Sequence, residues 1–313
     1  MERFHSKGLD GSWNMKVISL TEPFATLIKI GTKRIETRSW ATSYRGELYI
    51  HASQTSIPKK WKENQELMML LKGESLGFGF LLCKCQLVDC IYMTEDFIAD
   101  IQTNKAEYIS GDYKVGRYAW ILETVEVLEC PIRAKGQLGV WNYYDEREIM
   151  KLMDQIQYGW VDQNDQKHLI MNDSYSDTYK LQSPKQLEKT QLGTCWDQVE
   201  LQRYYFKNHA ANIHTYFICY YGTDQLYSHT FLTYEKEDKV VWFEHAWNPY
   251  AGIHIYHDLE ELISDVKEKF IVQQIKEPFS DGGLLVREYS KPHYGITFSA
   301  FFQHCEKGNI ILV

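Results

Sequence analysis

Strand-like segments far outnumber helical ones in the first 145 residues, and this ratio is the feature that most constrains the fold. The apolar alternation or continuity typical of strands occurs in KVISL, GELYIHAS, GFGFLLCKCQLVDCIYM and RYAWILETVEVLE. Helical spacing occurs in EPFATLIKIG and again in IPKKWKENQELMMLLK. Many strands with few helices predict a small β-barrel with helices at its ends.

The pattern changes after residue 145, which divides the chain into two predicted domains. A helix in DEREIMKLMDQIQ is followed by a helix at about 194–208, strands in HTYFICYY, SHTFLTYE and KVVWFEHAW, and a helix in DLEELISDVKEKFIV. A helix packed on an antiparallel sheet gives an α+β domain. We therefore predict a short, poorly ordered leader at 1–14, a barrel domain at 15–145 and an α+β domain at 146–313. The C-terminal end of the chain has no clear pattern.

Charge is unevenly distributed between the two predicted domains. Residues 15–145 carry 16 Lys and Arg against 16 Asp and Glu, whereas residues 146–313 carry 16 against 24. The acidic second domain is a poor candidate for binding a polyanion. The neutral first domain can bind one only through a local basic cluster.

Composition predicts a cytoplasmic protein without a membrane partner. Apolar runs are too short to span a membrane, and the start, MERFHSKGLDGSWN, lacks the apolar core of a secretory signal. The seven cysteines show no disulfide-like spacing, which is typical of a reducing compartment.

A single cysteine stands at the start of the predicted amphipathic helix near residue 194. Thr194 is a favourable N-cap, which places Cys195 on the first turn. Backbone N–H groups are unpaired there and the helix dipole is positive, so the thiolate is favoured. The alternative is a small buried side chain that only packs the helix against a core.

A histidine and an acid on two later predicted strands bear on whether Cys195 is a reactive thiol or a buried packing residue. If Lys236 and Glu237 form a two-residue turn, His229 lies directly opposite Glu244 and both side chains point to one face. The carboxylate then orients the imidazole, and His229 takes the proton of Cys195 for attack on a carbonyl carbon. The backbone N–H of Cys195 would help to stabilise the oxyanion.

Two neighbouring residues compete for these roles. His245 is an alternative base, although it should face away from Glu244, and Asn248 is an alternative orienting group. A half-buried structural histidine at 229 and a solvated carboxylate at 244 are the ordinary interpretations of these two positions.

Three motifs in this order, GTCWD, SHTFL and WFEH, resemble the transglutaminase-like branch of the papain-like fold. The resemblance covers about residues 158–275 and implies Cys195 as nucleophile, His229 as base and Glu244 as acid. The acid of that family usually lies in an Asp-Pro pair, a pattern that Glu244 does not follow. The family includes peptidases, amidases, deamidases and acyltransferases, so the resemblance implies a peptide or amide substrate without fixing which.

The basic cluster of the first domain begins in KIGTKRIETRSW. Cations interleaved with aromatic side chains suit phosphate contacts and base stacking. The candidate binding residues are Lys33, Glu36, Arg38, Trp40, Tyr44 and Arg45. The alternative is a surface loop with ordinary charges.

The same region closely resembles the ASCH domain, a small PUA-like barrel. The matching segments, in order, are EPFATLIKIGTKRIETRSW, RGELYIHAS, GRYAWIL and PIRAKGQLGVWNY. The resemblance implies binding of RNA, DNA or a modified nucleoside in a cleft lined by GTKRIETRSW. Some small members of the superfamily hydrolyse acetylated cytidine with a lysine, a threonine and a glutamate. Lys33 matches the lysine, but Glu36 stands at the threonine position, so binding is expected rather than catalysis.

No metal or cofactor is predicted. Cys83, Cys85 and Cys90 lie close together in CKCQLVDC, but no fourth ligand stands at zinc spacing, so we interpret them as small buried residues. The sequence thus predicts a thiol-dependent hydrolase or acyltransferase fused to a nucleic-acid or nucleotide binding domain. Two alternatives stay open: a non-catalytic nucleic-acid binding protein, and an acetylcytidine-type amidohydrolase that acts through Lys33.

Overall fold

The structure is a computed structural model that describes residues 15–209, 212–223, 226–276, 278–279 and 283–312. The predicted leader at 1–14 lies outside the described residues. The chain divides into two compact units. The first comprises the chain up to Asp145 together with Asn208–Ala210, and the second comprises the rest, from Glu146 onward.

A six-stranded sheet forms the core of the first unit. Its strands are β1 (Met15–Leu20), β2 (Ile35–Arg38), β3 (Gly46–Ala52), β4 (Phe80–Tyr92), β5 (Tyr118–Arg133) and β6 (Val140–Tyr143). They lie in the order β2-β5-β4-β3-β1-β6, with β1 and β3 parallel and the other pairs antiparallel. The register of β4 against β5 shifts at three places. Such bulges bend strands, so the sheet curls into a half-barrel that fits the predicted PUA-like fold.

From residue 15 onward, five short helices accompany this sheet. They are α1 (Phe24–Lys29), α2 (Lys59–Lys62), α3 (Gln65–Met69), α4 (Glu95–Gln102) and α5 (Lys105–Ile109). The expectation of one helix across IPKKWKENQELMMLLK is wrong, because α2 and α3 divide that segment. The Asn64 side chain accepts a hydrogen bond from the backbone N–H of Leu67 and so begins α3 as a separate helix.

The second unit is an α+β unit built on an antiparallel six-stranded sheet. Its strands, in the order β14-β13-β12-β11-β15-β16, are β11 (Ile213–Tyr221), β12 (Leu226–Lys236), β13 (Lys239–Glu244), β14 (Gly252–Tyr256), β15 (Leu284–Glu288) and β16 (Asn309–Ile310). Two small sheets join β7 (Gln157–Tyr158) to β10 (Leu192–Gly193), and β8 (Trp160–Val161) to β9 (Lys167–His168).

The described part of this unit contains six α-helices: α6 (Glu146–Met153), α7 (Tyr175–Thr178), α8 (Pro184–Thr190), α9 (Cys195–Phe206), α10 (Leu259–Gln274) and α11 (Phe298–Glu306). Helix α9 packs against β12. Ten of its twelve residues are buried, including Asp197, Gln198 and Glu200, so the expectation of an amphipathic helix is wrong. Internal hydrogen bonds satisfy these polar side chains, which makes burial on all sides tolerable.

Helix length and polarity also bear on membrane association. Among the described residues, no helix is both long and apolar enough to cross a bilayer.

Candidate functional site

A buried carboxylate fixes the start of α9. Asp197 Oδ2 accepts hydrogen bonds from the Thr194 backbone N–H, at 2.9 Å, and from the Thr194 hydroxyl, at 3.1 Å. Its other oxygen accepts from the Gln182 backbone N–H and the Tyr179 hydroxyl. Burial raises the pKa of Asp197 to about 6, although these hydrogen bonds by themselves lower it. The reciprocal capping box with Thr194 places Cys195 at the first helical position.

A second buried carboxylate, Glu244, lies at the end of β13. Its Oε2 atom accepts from His229 Nε2 at 2.8 Å and from Trp242 Nε1 at 3.2 Å. Its Oε1 atom accepts from the backbone N–H groups of His245 and Trp247, both at 2.9 Å. Four donors therefore hold a carboxylate that is 2% exposed, so its orientation toward His229 is set before any substrate arrives.

The strand register that brings His229 to Glu244 differs from the predicted one. The turn lies at Glu237 and Asp238, both with positive φ, and Lys236 pairs with Lys239. The expectation that His229 lies directly opposite Glu244 is therefore wrong. The turn lies one residue further along the chain than predicted, so the position opposite His229 shifts by two residues. Because side chains alternate along a strand, a shift of two keeps His229 and Glu244 on the same face of the sheet.

The thiol of Cys195 completes the cluster. His229 is 5% exposed and hydrogen-bonded to Glu244, and Cys195 also influences its ring. Burial by itself lowers the pKa of His229, but the charge of Glu244 and the interactions with Cys195 and Glu244 outweigh it and raise the pKa to about 10. Because Nε2 is engaged by Glu244, Nδ1 is the ring nitrogen left for the thiol. The arrangement can hold an imidazolium beside a thiolate.

The two competing residues lie elsewhere. His245 Nδ1 contacts Gln198 Oε1 at 2.7 Å, and its Nε2 lies 3.4 Å from Asp154 Oδ1. Burial lowers the pKa of His245 despite the charge of Asp154. Asn248 is exposed at the start of a 3-10 turn, Asn248–Tyr250. The group that contacts His229 is thus the carboxylate of Glu244.

One residue near the thiol was missed by the sequence analysis. Burial, together with the nearby Cys195, raises the pKa of Tyr158 above its usual range. Tyr158 lies on β7, which pairs in parallel with β10 immediately before the Cys195 helix. Neither a motif nor a periodic pattern marks a two-residue strand, so the sequence carries no local signal for this position.

A separate cleft lies in the first unit and has a volume of about 200 Å³. Its charged lining includes Lys33, Glu36 and Arg38 of the predicted set, together with Asp112 and Arg117. Phe24 and Trp61 supply aromatic surface to the same cleft. Trp61 was missed, although its position between lysines in KKWK is a signal of the kind already applied to the basic cluster.

Ion pairs and backbone contacts organise the cleft. Glu36 lies between Lys33 Nζ, at 3.6 Å, and Arg38 Nε, at 3.1 Å. Lys33 is 1% exposed and donates to the Ile35 carbonyl. The buried carboxylate of Glu107 accepts the backbone N–H groups of Arg34 and Ile35, at 2.7 and 3.2 Å, and so fixes the segment that carries these side chains.

Three predicted binding residues do not line this cleft. Trp40 packs edge-on against Trp120, with ring centroids 4.7 Å apart. The Tyr44 hydroxyl donates to a backbone carbonyl, that of Glu47, and Arg45 pairs with Asp89 at 3.0 Å. The structure thus brings Lys33, Glu36 and Arg38 together and leaves Trp40, Tyr44 and Arg45 outside the group.

Potential metal ligands do not cluster in the part of the chain that the structure describes: no three His, Cys, Asp or Glu side chains there could hold an ion. Cys83 and Cys85 are buried free thiols on β4, and Cys90 is a half-buried one.

Comparison with known proteins concerns the first unit. Residues 18–132 match the ASCH domain family. The chain is also 37% identical over 92 residues to "Activating signal cointegrator 1" of Mus musculus and, equally, of Homo sapiens. Each match covers 27% of this chain and 15% of the relative, so most of either protein lies outside it. The family match ends before the Cys195 cluster, whose transglutaminase-like resemblance stays a prediction. Residues 18–132 of this chain form an ASCH domain.

Proposed function

We propose that the second unit is a thiol-dependent hydrolase or acyltransferase that acts on an amide or peptide bond through Cys195, His229 and Glu244. The observation that carries the proposal is the 2.8 Å hydrogen bond between His229 Nε2 and the fully hydrogen-bonded carboxylate of Glu244, together with the influence of Cys195 on the same imidazole. Nucleophile, base and orienting group are the three parts that covalent acyl transfer by a thiol requires.

The chemistry follows from these contacts. The Cys195 proton passes to His229, and a sulfur lone pair forms a bond to the substrate carbonyl carbon while the C=O π electrons move to oxygen. Collapse of this oxyanion breaks the bond to the leaving amine, which takes its proton from His229 and leaves a thioester on Cys195. Water or a second amine then attacks the thioester, His229 accepts its proton, and the thiol is restored.

The resemblance of GTCWD, SHTFL and WFEH to transglutaminase-like proteins supports the same reaction class: peptidase, amidase, deamidase or acyltransferase. The acidic charge of this part of the chain disfavours nucleic acid as its substrate. All seven cysteines are free, in keeping with the cytoplasmic location that we propose.

Acylation by an activated ester tests this proposal. The protein is incubated with p-nitrophenyl acetate, and the acetyl adduct is located by peptide mass spectrometry. We expect one acetyl adduct on Cys195 when the reaction is quenched before the thioester hydrolyses, which Cys195→Ala abolishes and the matched Cys90→Ala leaves intact, because Cys90 lies in the other unit. Acetylation that survives in Cys195→Ala at the same rate would contradict the proposal.

We also propose that the ASCH domain binds a nucleotide or a short single-stranded nucleic acid in its cleft. The supporting observation is the combination of three cationic side chains, two acidic ones and the rings of Phe24 and Trp61 in a small cleft. Near-balance of charge and small volume favour one nucleotide unit over a long phosphate track.

A paired substitution separates this binding function from the amidohydrolase alternative. Lys33→Ala should weaken binding of single-stranded RNA or DNA and leave Cys195-dependent acylation unchanged, because the residue lies in the cleft. An enzyme acting on acetylcytidine through Lys33 would instead lose deacetylation in Lys33→Ala and keep it in Cys195→Ala. Measuring both variants with acetylcytidine and the ester distinguishes the two.

A further inference from the structure

A chain of hydrogen bonds joins the start of α9 to the carboxylate of Glu244. The Gln198 side chain donates from Nε2 to the Gly193 carbonyl at 3.0 Å, and its Oε1 atom lies 2.7 Å from His245 Nδ1. The backbone N–H of His245 donates to Glu244 Oε1 at 2.9 Å, and Glu244 Oε2 lies 2.8 Å from His229 Nε2. The chain of bonds thus runs from the residue before the cap of α9 to the imidazole of His229.

The amide oxygen of Gln198 fixes the tautomer of His245. An amide oxygen can only accept, so His245 Nδ1 carries the hydrogen of the 2.7 Å bond. The other ring nitrogen, Nε2, lies 3.4 Å from Asp154 Oδ1, which belongs to a largely exposed side chain directly after α6. His245 therefore presents a donor to the amide from its ring and a second donor to Glu244 from its backbone.

Both polar ends of a deeply buried amide are used in this chain. Gln198 is 1% exposed and lies on α9 one turn after Cys195. An unpaired amide would cost free energy there, whereas a paired one holds its two partners at a fixed separation. One partner, Gly193, precedes the cap of α9, and the other, His245, directly follows Glu244 in the chain. Gln198 therefore links the element that carries the thiol to the element that carries the acid.

The separation of these elements decides whether a thiol and an imidazole can exchange a proton. Cys195 begins α9, whereas His229 and Glu244 lie on β12 and β13, so the covalent chain does not fix the distance between them. A misplacement of about 1 Å can slow a reaction by about 10²-fold. A buried hydrogen-bonded link between the two elements keeps that distance constant.

We propose that Gln198 is a positioning residue that, through His245, holds the Cys195 end of α9 against the pair of His229 and Glu244. This inference rests on the proposed thiol chemistry. Neither Gln198 nor His245 takes part in bond making or proton transfer: together they set where the sulfur stands relative to its base.

Gln198→Met tests the link, because methionine has a similar length and lacks both the amide donor and the amide oxygen. Gln202→Met is the matched control. Gln202 lies on the same helix and is equally 1% exposed, and its Oε1 atom accepts no hydrogen bond from the residues that the structure describes.

The measurement is the pH profile of Cys195 alkylation by iodoacetamide, followed by mass spectrometry. A thiolate held by an imidazolium reacts at low pH, whereas an isolated thiol reacts only near its ordinary pKa of about 8.5. We expect Gln198→Met to slow alkylation about tenfold or more at about pH 6 and to change it little at about pH 9, where a thiol ionises without help. Gln202→Met should keep the profile of the unsubstituted protein. A loss of packing alone would lower the unfolding midpoint without moving the profile.

Two substitutions of His245 test the other end of the link. His245→Asn keeps an N–H donor near the position of Nδ1 and does not titrate, whereas His245→Leu removes the donor. We expect His245→Leu to lose the reaction at low pH, as Gln198→Met does, and His245→Asn to restore it. Restoration by a side chain that does not titrate would assign the effect to the hydrogen bond rather than to the charge of the histidine.

Three results would overturn the inference and leave the thiol chemistry standing. The first is an unchanged alkylation profile in Gln198→Met. The second is an equal shift of the profile in Gln202→Met, which would assign the effect to any loss of a buried amide. The third, which decides the matter if Gln198→Met does not fold, is an identical profile for His245→Asn and His245→Leu. If the unsubstituted protein reacts with p-nitrophenyl acetate no faster than Cys195→Ala, the proposed function fails and the inference fails with it.

Discussion

Two histidines, one in each unit, are almost equally buried, yet we expect His51 to be neutral and His229 to be charged. His51 is 1% exposed and contacts the Ser19 hydroxyl at 3.1 Å and the Ala134 carbonyl at 3.2 Å. Burial lowers the pKa of His51. His229 is 5% exposed, but it contacts the carboxylate of Glu244, and its pKa is raised to about 10. The partner, rather than the degree of burial, decides which form the protein stabilises.

We propose that this difference separates a structural histidine, His51, from a functional one, His229. A neutral imidazole between a hydroxyl and a carbonyl, as at His51, satisfies its hydrogen bonds and packs against Trp141. In the proposed reaction, an imidazolium at His229 stabilises a thiolate and later protonates the leaving group. The contrast between the two histidines therefore depends on Glu244.

The largest effect is expected from Glu244→Gln. A glutamine oxygen can accept from some of the four donors, but its NH₂ group cannot accept from His229 or Trp242, so the charged imidazole loses its partner. We expect acylation of Cys195 to slow by about 10²–10⁴-fold. The rate of p-nitrophenol release under single-turnover conditions measures this.

Asn248→Ala is the matched control for this prediction. Asn248 is exposed, so its loss should leave acylation unchanged. A silent Glu244→Gln together with a damaging Asn248→Ala would reassign the orienting role to Asn248 and remove the contrast between the two histidines.

A pKa difference between His229 and His51 is the next expected effect. The folded-state pKa of His229 is raised above the unfolded value of about 6.5. Its contribution to stability is therefore complete below the unfolded pKa and is lost as the pH rises through about 10. NMR titration of labelled imidazole rings should show His229 still protonated at about pH 8, where His51 is neutral.

Glu244→Gln should lower the pKa of His229 to the ordinary histidine range or below it and leave the pKa of His51 unchanged. A His229 ring that titrates with His51 in the unsubstituted protein would break the comparison.

The smallest effect is expected at the ASCH cleft. Glu36 partly neutralises Lys33 and Arg38, so few charges remain for phosphate. Affinity for single-stranded RNA should fall with rising salt at a shallow slope, and Trp61→Ala should remove about 1–3 kcal/mol of stacking. Fluorescence anisotropy at several salt concentrations measures both. Trp40→Ala is the control, because Trp40 lies outside the cleft; a greater loss there than at Trp61 would relocate the site.

Local patterns predicted much of the fold. Cys195 begins a helix because Thr194 and Asp197 form a capping box that is readable in the sequence. The strands at HTYFICYY, SHTFLTYE and KVVWFEHAW occur as β11, β12 and β13. The sequence did not predict β15, which pairs with β11 from far along the chain, because such pairing leaves no local periodic signal.

The candidate sites were predictable to different degrees. His229 and Glu244 lie on adjacent strands joined by a short turn, so a face could be predicted even though the register was wrong. The ASCH cleft is assembled from distant segments that include Lys33, Trp61 and Arg117, whereas Arg45, which sequence proximity favours, does not line it and pairs with Asp89. Which residues form each site depends on the tertiary structure, and the local sequence does not specify it.

Selective alkylation tests the central claim, an activated thiol at Cys195, most directly. Exposed Cys130 is an internal reference, and burial raises the pKa of Cys85 to about 12 and that of Cys219 to about 11, so those thiols should stay inert. Folded protein is treated with iodoacetamide at about pH 6, where an ordinary thiol is almost fully protonated, and each cysteine is quantified by mass spectrometry. Cys195 should react faster than Cys130 despite being buried, and Glu244→Gln should remove this advantage. Cys195 that reacts more slowly than Cys130, with no change in Glu244→Gln, would contradict the account.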